Sequence, residues 1–170
     1  KVLEVNPNNH IANGELSDIY SEMFGDTEEL KYFELALPYA SRQIELVPEA
    51  YYYIERGLLY MDACKWEEAL EDFEKAAQLE PDNTYAYNNM GCVYKYTGKY
   101  EKALEACHKA AEVMKEDEAM LPFGNIGDTY DRMGEYEKAL EAYLKNEKLF
   151  PKNRKVYRDS MNVYCMLQRF

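Results

Sequence analysis

Apolar and small residues recur at helical spacing along most of the chain. Tyr87, Met90, Gly91 and Tyr94 stand at i, i+3, i+4 and i+7, and Tyr100, Ala103, Leu104 and Cys107 repeat that spacing a few residues later. Positions three and four apart share one face of a helix, so each run predicts an amphipathic helix. Gly98 falls between the two runs and Gly134 at the matching place further on. A residue that tolerates positive φ is useful there, where one helix stops and the next begins. Pro48, Pro81 and Pro151 end the second helix of each pair, and the polar residues after them can cap the next helix. No stretch alternates with period two for a useful length, so strands are not expected.

The pairs repeat. GKYEKALEAC at 98–107 returns as GEYEKALEAY at 134–143 and, more loosely, as CKWEEALEDF at 64–73. Each follows a helical segment with glycine and then tyrosine three residues on: Gly57 and Tyr60, Gly91 and Tyr94, Gly127 and Tyr130. Repeats about 34 residues long, each holding two helices, cannot bury their apolar faces alone and must stack on neighbours.

This pattern resembles the tetratricopeptide repeat. The large residue early in the family's first helix corresponds to Tyr53, Tyr87 and Phe123, the small residue to Gly57, Gly91 and Gly127, and the aromatic to Tyr60, Tyr94 and Tyr130. In the second helix Trp66, Tyr100 and Tyr136 come first, then Ala69, Ala103 and Ala139, then Phe73, Cys107 and Tyr143. The resemblance divides 1–170 as one repeat domain: 1–9 as the close of a preceding repeat, 10–49 as a divergent copy, 50–83, 84–119 and 120–153 as good copies, and 154–170 as a partial repeat or capping helix. In the divergent copy Ser17 stands where glycine is usual, extra residues around Gly25–Lys31 predict a longer loop, and Pro38 falls in the first turns of the second helix. In the copy at 84–119, Lys115 replaces the terminal proline, which predicts a longer helix. The fold the family implies is an all-α, right-handed superhelical solenoid of antiparallel hairpins. Neither end supplies an obvious polar cap, so the chain reads as a segment of a longer repeat protein.

Function is sought on positions that the core does not explain. The stripe Glu101, Lys102, Glu105, Lys109 and Glu112 is an ordinary solvated helix face. By contrast, Tyr85, Asn88, Asn89, Cys92 and Tyr96 form a second stripe on the preceding helix, with Lys95 its only charge. In the family, such first-helix positions line a concave groove that holds a partner peptide or helix. Carried over, that groove comprises Tyr51, Ile54 and Leu58, then Tyr85, Asn88, Asn89, Cys92 and Tyr96. It continues with Leu121, Asn125, Asp128 and Arg132 and ends with Lys155, Arg158, Asp159 and Asn162. An asparagine amide carries both donor and acceptor, so Asn89 and Asn125 can pair with a partner's peptide group or with local backbone. The family's clamp for a terminal carboxylate matches only at Asn125 and Lys155, because Asn88, Cys92 and Asp159 stand where Lys, Asn and Arg belong.

Composition narrows the partner. The formal net charge of −12 disfavours nucleic acid and anionic membrane surfaces. Four cysteines, Cys64, Cys92, Cys107 and Cys165, without a C-x-x-C pair are expected as free thiols, and a cytoplasmic setting is expected with them. No apolar run approaches the roughly 20 residues that cross a bilayer. Chemistry is not signalled either. GCVYKYTGKY at 91–100 has six residues between its glycines and no preceding strand, so it is no phosphate loop. The two histidines, His10 and His108, fall in different copies, and no G-x-S-x-G or H-E-x-x-H motif occurs. No enzyme activity, cofactor or metal is expected. The expected partner is a protein or peptide, with self-association, or service as the recruiting arm of a larger enzyme, as alternatives.

Overall fold

A computed structural model describes residues 6–114, 122–149, 151 and 154–168, with the backbone alone for 154–156. Among these residues all regular structure is helical: α1 (His10–Thr27), α2 (Leu30–Leu46), α3 (Ala50–Asp62), α4 (Trp66–Leu79), α5 (Thr84–Tyr96), α6 (Tyr100–Val113), α7 (Pro122–Met133), α8 (Tyr136–Leu149) and α9 (Arg154–Leu167). The chain divides into two compact units, Lys1–Pro81 and Asp82–Phe170. In the first, α1 packs on α2 and α3 on α4, with α2 also against α3. In the second the pairs are α5 with α6 and α7 with α8, and α9 packs on α8.

The boundaries follow local chemistry. Helices α2, α4 and α8 end at Leu46, Leu79 and Leu149, two residues before Pro48, Pro81 and Pro151. Asn9 and Asn83 cap α1 and α5, their side chains accepting from the amides of Ala12 at 2.9 Å and Ala86 at 3.0 Å. Gly98 and Gly134 take φ of 74° and 77°, the left-handed conformation that the hairpin turn requires. Cys64 occupies the same turn position in the first unit at φ 56°, where an L side chain is strained.

Two expectations meet differences on these residues. The additional residues near Gly25 form no long loop: α1 continues to Thr27, and a two-residue link with Glu28 at φ 55° joins it to α2. Pro38 therefore lies in the middle of α2 rather than in its first turns, since α2 already begins at Leu30. The expected extension of the helix past Lys115 falls outside the described residues, as does the helical close expected at 1–5.

Inside each hairpin a first-helix glycine meets a second-helix side chain. A Cβ on Gly57 would lie 2.6 Å from the Phe73 ring, and one on Gly127 would lie 2.5 Å from the Tyr143 ring. On Gly91 it would lie 2.3 Å from Cys107 Sγ. Around these contacts stand separate cores: Phe24, Phe33, Ala36 and Leu59 in the first unit, and Cys107, Phe123, Ile126 and Ala142 in the second. A further cluster in the second unit joins Ala139 and Tyr143 to Val163 of α9, with Tyr130 packed against it. Several of the tyrosines are thus packing residues. Gly57→Val should lower stability by about 1–3 kcal/mol through overpacking. Gly25→Ala meets nothing within 4 Å and should raise stability, by up to about 1 kcal/mol from helix propensity. Thermal melts of both variants check the pair; equal shifts of the same sign would contradict the close approach at Gly57.

Candidate functional site

The first-helix residues of the second unit sit on α5 and α7, and a buried polar network joins the two helices. Lys95 Nζ, with only 4% of the residue exposed, donates to Asn125 Oδ1 at 2.8 Å and to Asp128 Oδ2 at 3.1 Å. Asn125 Nδ2 donates in turn to Asn88 Oδ1 at 2.9 Å, and the Tyr143 hydroxyl of α8 donates to Asp128 Oδ1 at 2.6 Å. A buried ammonium is costly unless paired and hydrogen-bonded, and here both conditions are met. Burial first, and then the hydrogen bond to Asp128, hold the Tyr143 hydroxyl well above its ordinary pKa, so it stays a donor. Burial also pushes the Cys107 thiol up to about 12, leaving it a protonated packing group.

Above that floor the exposed side chains are aromatic and cationic. Tyr85 is 40% exposed and Tyr96 56%, while the Arg132 guanidinium lies 5.6 Å from the Tyr96 ring centroid. A guanidinium near a tyrosine face is attracted by the ring quadrupole, which holds both groups in place. Cys92 is half-buried on the same helix. On α9, Arg158 and Asn162 are exposed and Arg158 Nε lies 3.6 Å from Asp159 Oδ1. The side chain of Lys155 and all of Leu121 lie outside the described residues.

Not every sequence-predicted residue presents itself to a partner. Asn88 is 2% exposed and accepts from Asn125, and Ile54 is 7% exposed, so neither offers more than an edge. Asn125 already spends its carbonyl on Lys95 and one amide hydrogen on Asn88. Asn89 is 7% exposed, and no described group hydrogen-bonds its amide. The sequence left Lys95 as a lone charge on a surface stripe; the structure buries it as the centre of the network. Its signal was available, since Lys95 and Asn125 lie on the first helices of adjacent repeats, but one residue pair in a single sequence does not reveal contact.

In the first unit, α3 is fixed by Arg56, whose Nε and Nη2 reach Asp72 at 2.8 and 2.7 Å while Nη1 reaches Ser41 at 3.1 Å. The neighbouring face carries Tyr51, 59% exposed, half-buried Leu58, and Glu55. Burial and then Asp18 raise the Glu55 pKa, and burial and then Glu22 raise that of Asp18. No described cation pairs with these carboxylates. Residues 1–81 hold 6 of the 20 lysines and arginines and 18 of the 32 acidic residues, and residues 82–170 hold 14 of each. The net charge of −12 therefore belongs to the first unit, and the second is balanced.

Family models described as tetratricopeptide repeat match residues 82–151 and residues 50–83. The chain belongs to the tetratricopeptide-repeat family. No curated protein matches it. Among solved structures, the crystal structure of MamA is similar over 91% of this chain and 86% of its own, at 22% identity and TM-score 0.71. PilF of Pseudomonas aeruginosa is similar over 93% and 72%, at 18% identity and TM-score 0.70. The first tetratricopeptide domain of Spaghetti (RPAP3), bound to the HSP90 peptide SRMEEVD, is similar over 71% and 94%, at 20% identity and TM-score 0.64. At these identities the likeness establishes the all-α helical-repeat fold. Among the described residues no helix is long and apolar enough to cross a membrane, and no three His, Cys, Asp or Glu side chains gather to hold a metal.

Two outcomes follow from the electrostatics. Asp128→Asn removes the counter-charge of buried Lys95 and should destabilise by roughly 1–3 kcal/mol, with Lys95→Met/Asp128→Asn losing less than the sum of the single changes. Chemical denaturation of the cycle measures this, and strict additivity would deny the coupling. Glu55→Gln should raise the melting temperature at pH 7. A raised folded pKa means that ionising Glu55 costs the native state more than the unfolded chain. That penalty is present above the folded pKa and vanishes below the unfolded one, so the gain should fade as pH drops through the folded value towards 4.5. A gain that persisted under acid would assign it to packing.

Proposed function

We propose that this chain is a protein-interaction module in which the α5/α7 first-helix face of the second unit holds an extended segment of a partner protein. The observation that carries the reading is the mounting of half-exposed Tyr85, Tyr96 and Arg132 over the buried Lys95 network. Tyrosine and arginine anchors on a rigid base lose little entropy when they bind, and they are the residue types that dominate interface energetics. Asn89, 7% exposed like Ile54, presents only an edge of its amide to that segment. Asn125 offers its second amide hydrogen, and Cys92 and Asp128 border the same face.

Tyr51 and Leu58 give the first unit a comparable face of its own, there beside unpaired carboxylates, which favours basic residues in whatever it meets. At the α9 end of the second unit, Arg158, Asn162 and Lys155 favour acidic residues. The peptide complex of the RPAP3 domain supports the class of ligand. The family's terminal-carboxylate clamp is not carried over, because Asn88, Cys92 and Asp159 stand where its Lys, Asn and Arg belong. An internal extended segment with an apolar or aromatic side chain fits this face better.

The test begins with affinity capture of a partner and mapping of its segment on overlapping peptides. Fluorescence titration should then show Tyr96→Ala and Tyr85→Ala each weakening the mapped peptide by about 1–3 kcal/mol with little change in the melt. Glu105→Ala and Lys109→Ala on the outer face of α6 should leave affinity within about 0.5 kcal/mol. Loss of binding in the outer-face pair with normal binding in the first two would move the site to the opposite side of the unit.

A further inference from the structure

Within the first unit, the last turns of α1 and α3 and the start of α2 enclose a cavity of about 480 Å³. None of its lining residues belongs to the face of Tyr51, Glu55 and Leu58. Its apolar lining is buried Phe24, half-buried Ala63 and Leu30, which is left 62% exposed. Its charged lining is Glu28 and Asp62, with no lysine, arginine or histidine among the lining residues. The two lysines nearest in sequence pair elsewhere, Lys31 with Glu29 and Lys65 with Glu68.

Two helices end at this cavity. A helix C-terminus carries the equivalent of about half a negative charge on carbonyls that lack intrahelical partners, and basic side chains of the last turn commonly answer it. Neither α1 nor α3 has a basic residue in its last turn; α3 ends instead on Asp62. Asp62 is exposed, yet desolvation raises its carboxyl above the ordinary value and no neighbouring cation brings it down. Negative potential from two carboxylates and two helix ends is thus gathered beside apolar walls. Among the described residues no three His, Cys, Asp or Glu side chains converge, so a metal ion is poorly served. An alkyl stem with a cationic head matches both parts, the stem covering apolar surface while the head meets carboxylates and terminal carbonyls. A free basic amino acid would bring its own carboxylate against Glu28 and Asp62; within a peptide chain that charge is gone.

We propose that this cavity is a binding site for one lysine or arginine side chain of a partner protein, its stem along Phe24, Leu30 and Ala63 and its head between Glu28, Asp62 and the carbonyl ends of α1 and α3. The site does not depend on the α5/α7 face, which belongs to the other unit.

Titration of the ¹⁵N-labelled full chain at constant ionic strength with the capped peptide Gly-Gly-Arg-Gly-Gly tests this. The amides of Gly25, Ala63 and Cys64 should shift saturably, while those of Gly98 and Gly134, in the hairpin turns of the second unit, should stay still. The same peptide with norleucine for arginine keeps a stem without a charge and should give no saturable shift. Free arginine should bind at least about fivefold more weakly than the peptide. Asp62→Asn/Glu28→Gln should weaken the peptide at least about tenfold, and Glu71→Gln/Glu74→Gln on α4, an equal change of net charge, should leave it as in wild type. Circular dichroism checks that both variants are folded. Absence of saturable shifts at Gly25, Ala63 and Cys64 overturns the proposal. So does a norleucine peptide or free arginine that binds as well as the arginine peptide, or an Asp62→Asn/Glu28→Gln variant that binds like wild type.

Discussion

The fold rests on how closely the two helices of a hairpin approach each other. At Gly57, Gly91 and Gly127 there is no room for a β-carbon, because Phe73, Cys107 and Tyr143 fill the place it would take. The facing side chain is free to vary once the glycine is fixed, from a phenylalanine to a cysteine to a tyrosine. Each choice passes a different chemistry through the same gap. Phe73 makes its hairpin purely apolar. Tyr143 instead carries a hydroxyl across to Asp128, and so ties the interior of one hairpin to the polar floor of the candidate site.

That connection explains why the polar residues of α5 and α7 can be buried at all. Lys95 would be an expensive ammonium in a low-dielectric setting, yet Asn125 and Asp128 receive it, while Asn88 accepts from Asn125 and Tyr143 donates to Asp128. A half-satisfied version would be worse than an apolar core, so the five residues function as one unit. The same rigidity makes Tyr85, Tyr96 and Arg132 effective anchors, since their supports cannot relax away from a ligand.

Much of the architecture was legible in the sequence because its signals are strictly local. The i, i+3, i+4, i+7 runs, the glycines at 98 and 134 and the prolines after α2, α4 and α8 each act within a turn or two. The errors came where a local rule competed with continuity. Extra residues near Gly25 resembled a loop, but α1 simply continued through them, and the early start of α2 then carried Pro38 into mid-helix. The site was less legible. Which of two asparagines is spent internally depends on a lysine 30 residues before Asn125, and periodicity places both residues on the right face without saying that they touch.

Charge shows the same limit on a larger scale. A net −12 spread evenly would have made every surface of the chain repel phosphates and favour cationic partners. Its confinement to residues 1–81 means that the argument holds for the first unit only, while the second meets its surroundings as a balanced surface whose local features decide what it attracts. Within the second unit the sequence of α9 is basic, whereas that of α1 in the first unit is acidic, so single helices depart from the average in opposite directions. Partner preference in such a chain is therefore a property of a helix face, with its few ionised groups and the apolar residues between them, and a whole-chain charge predicts it poorly.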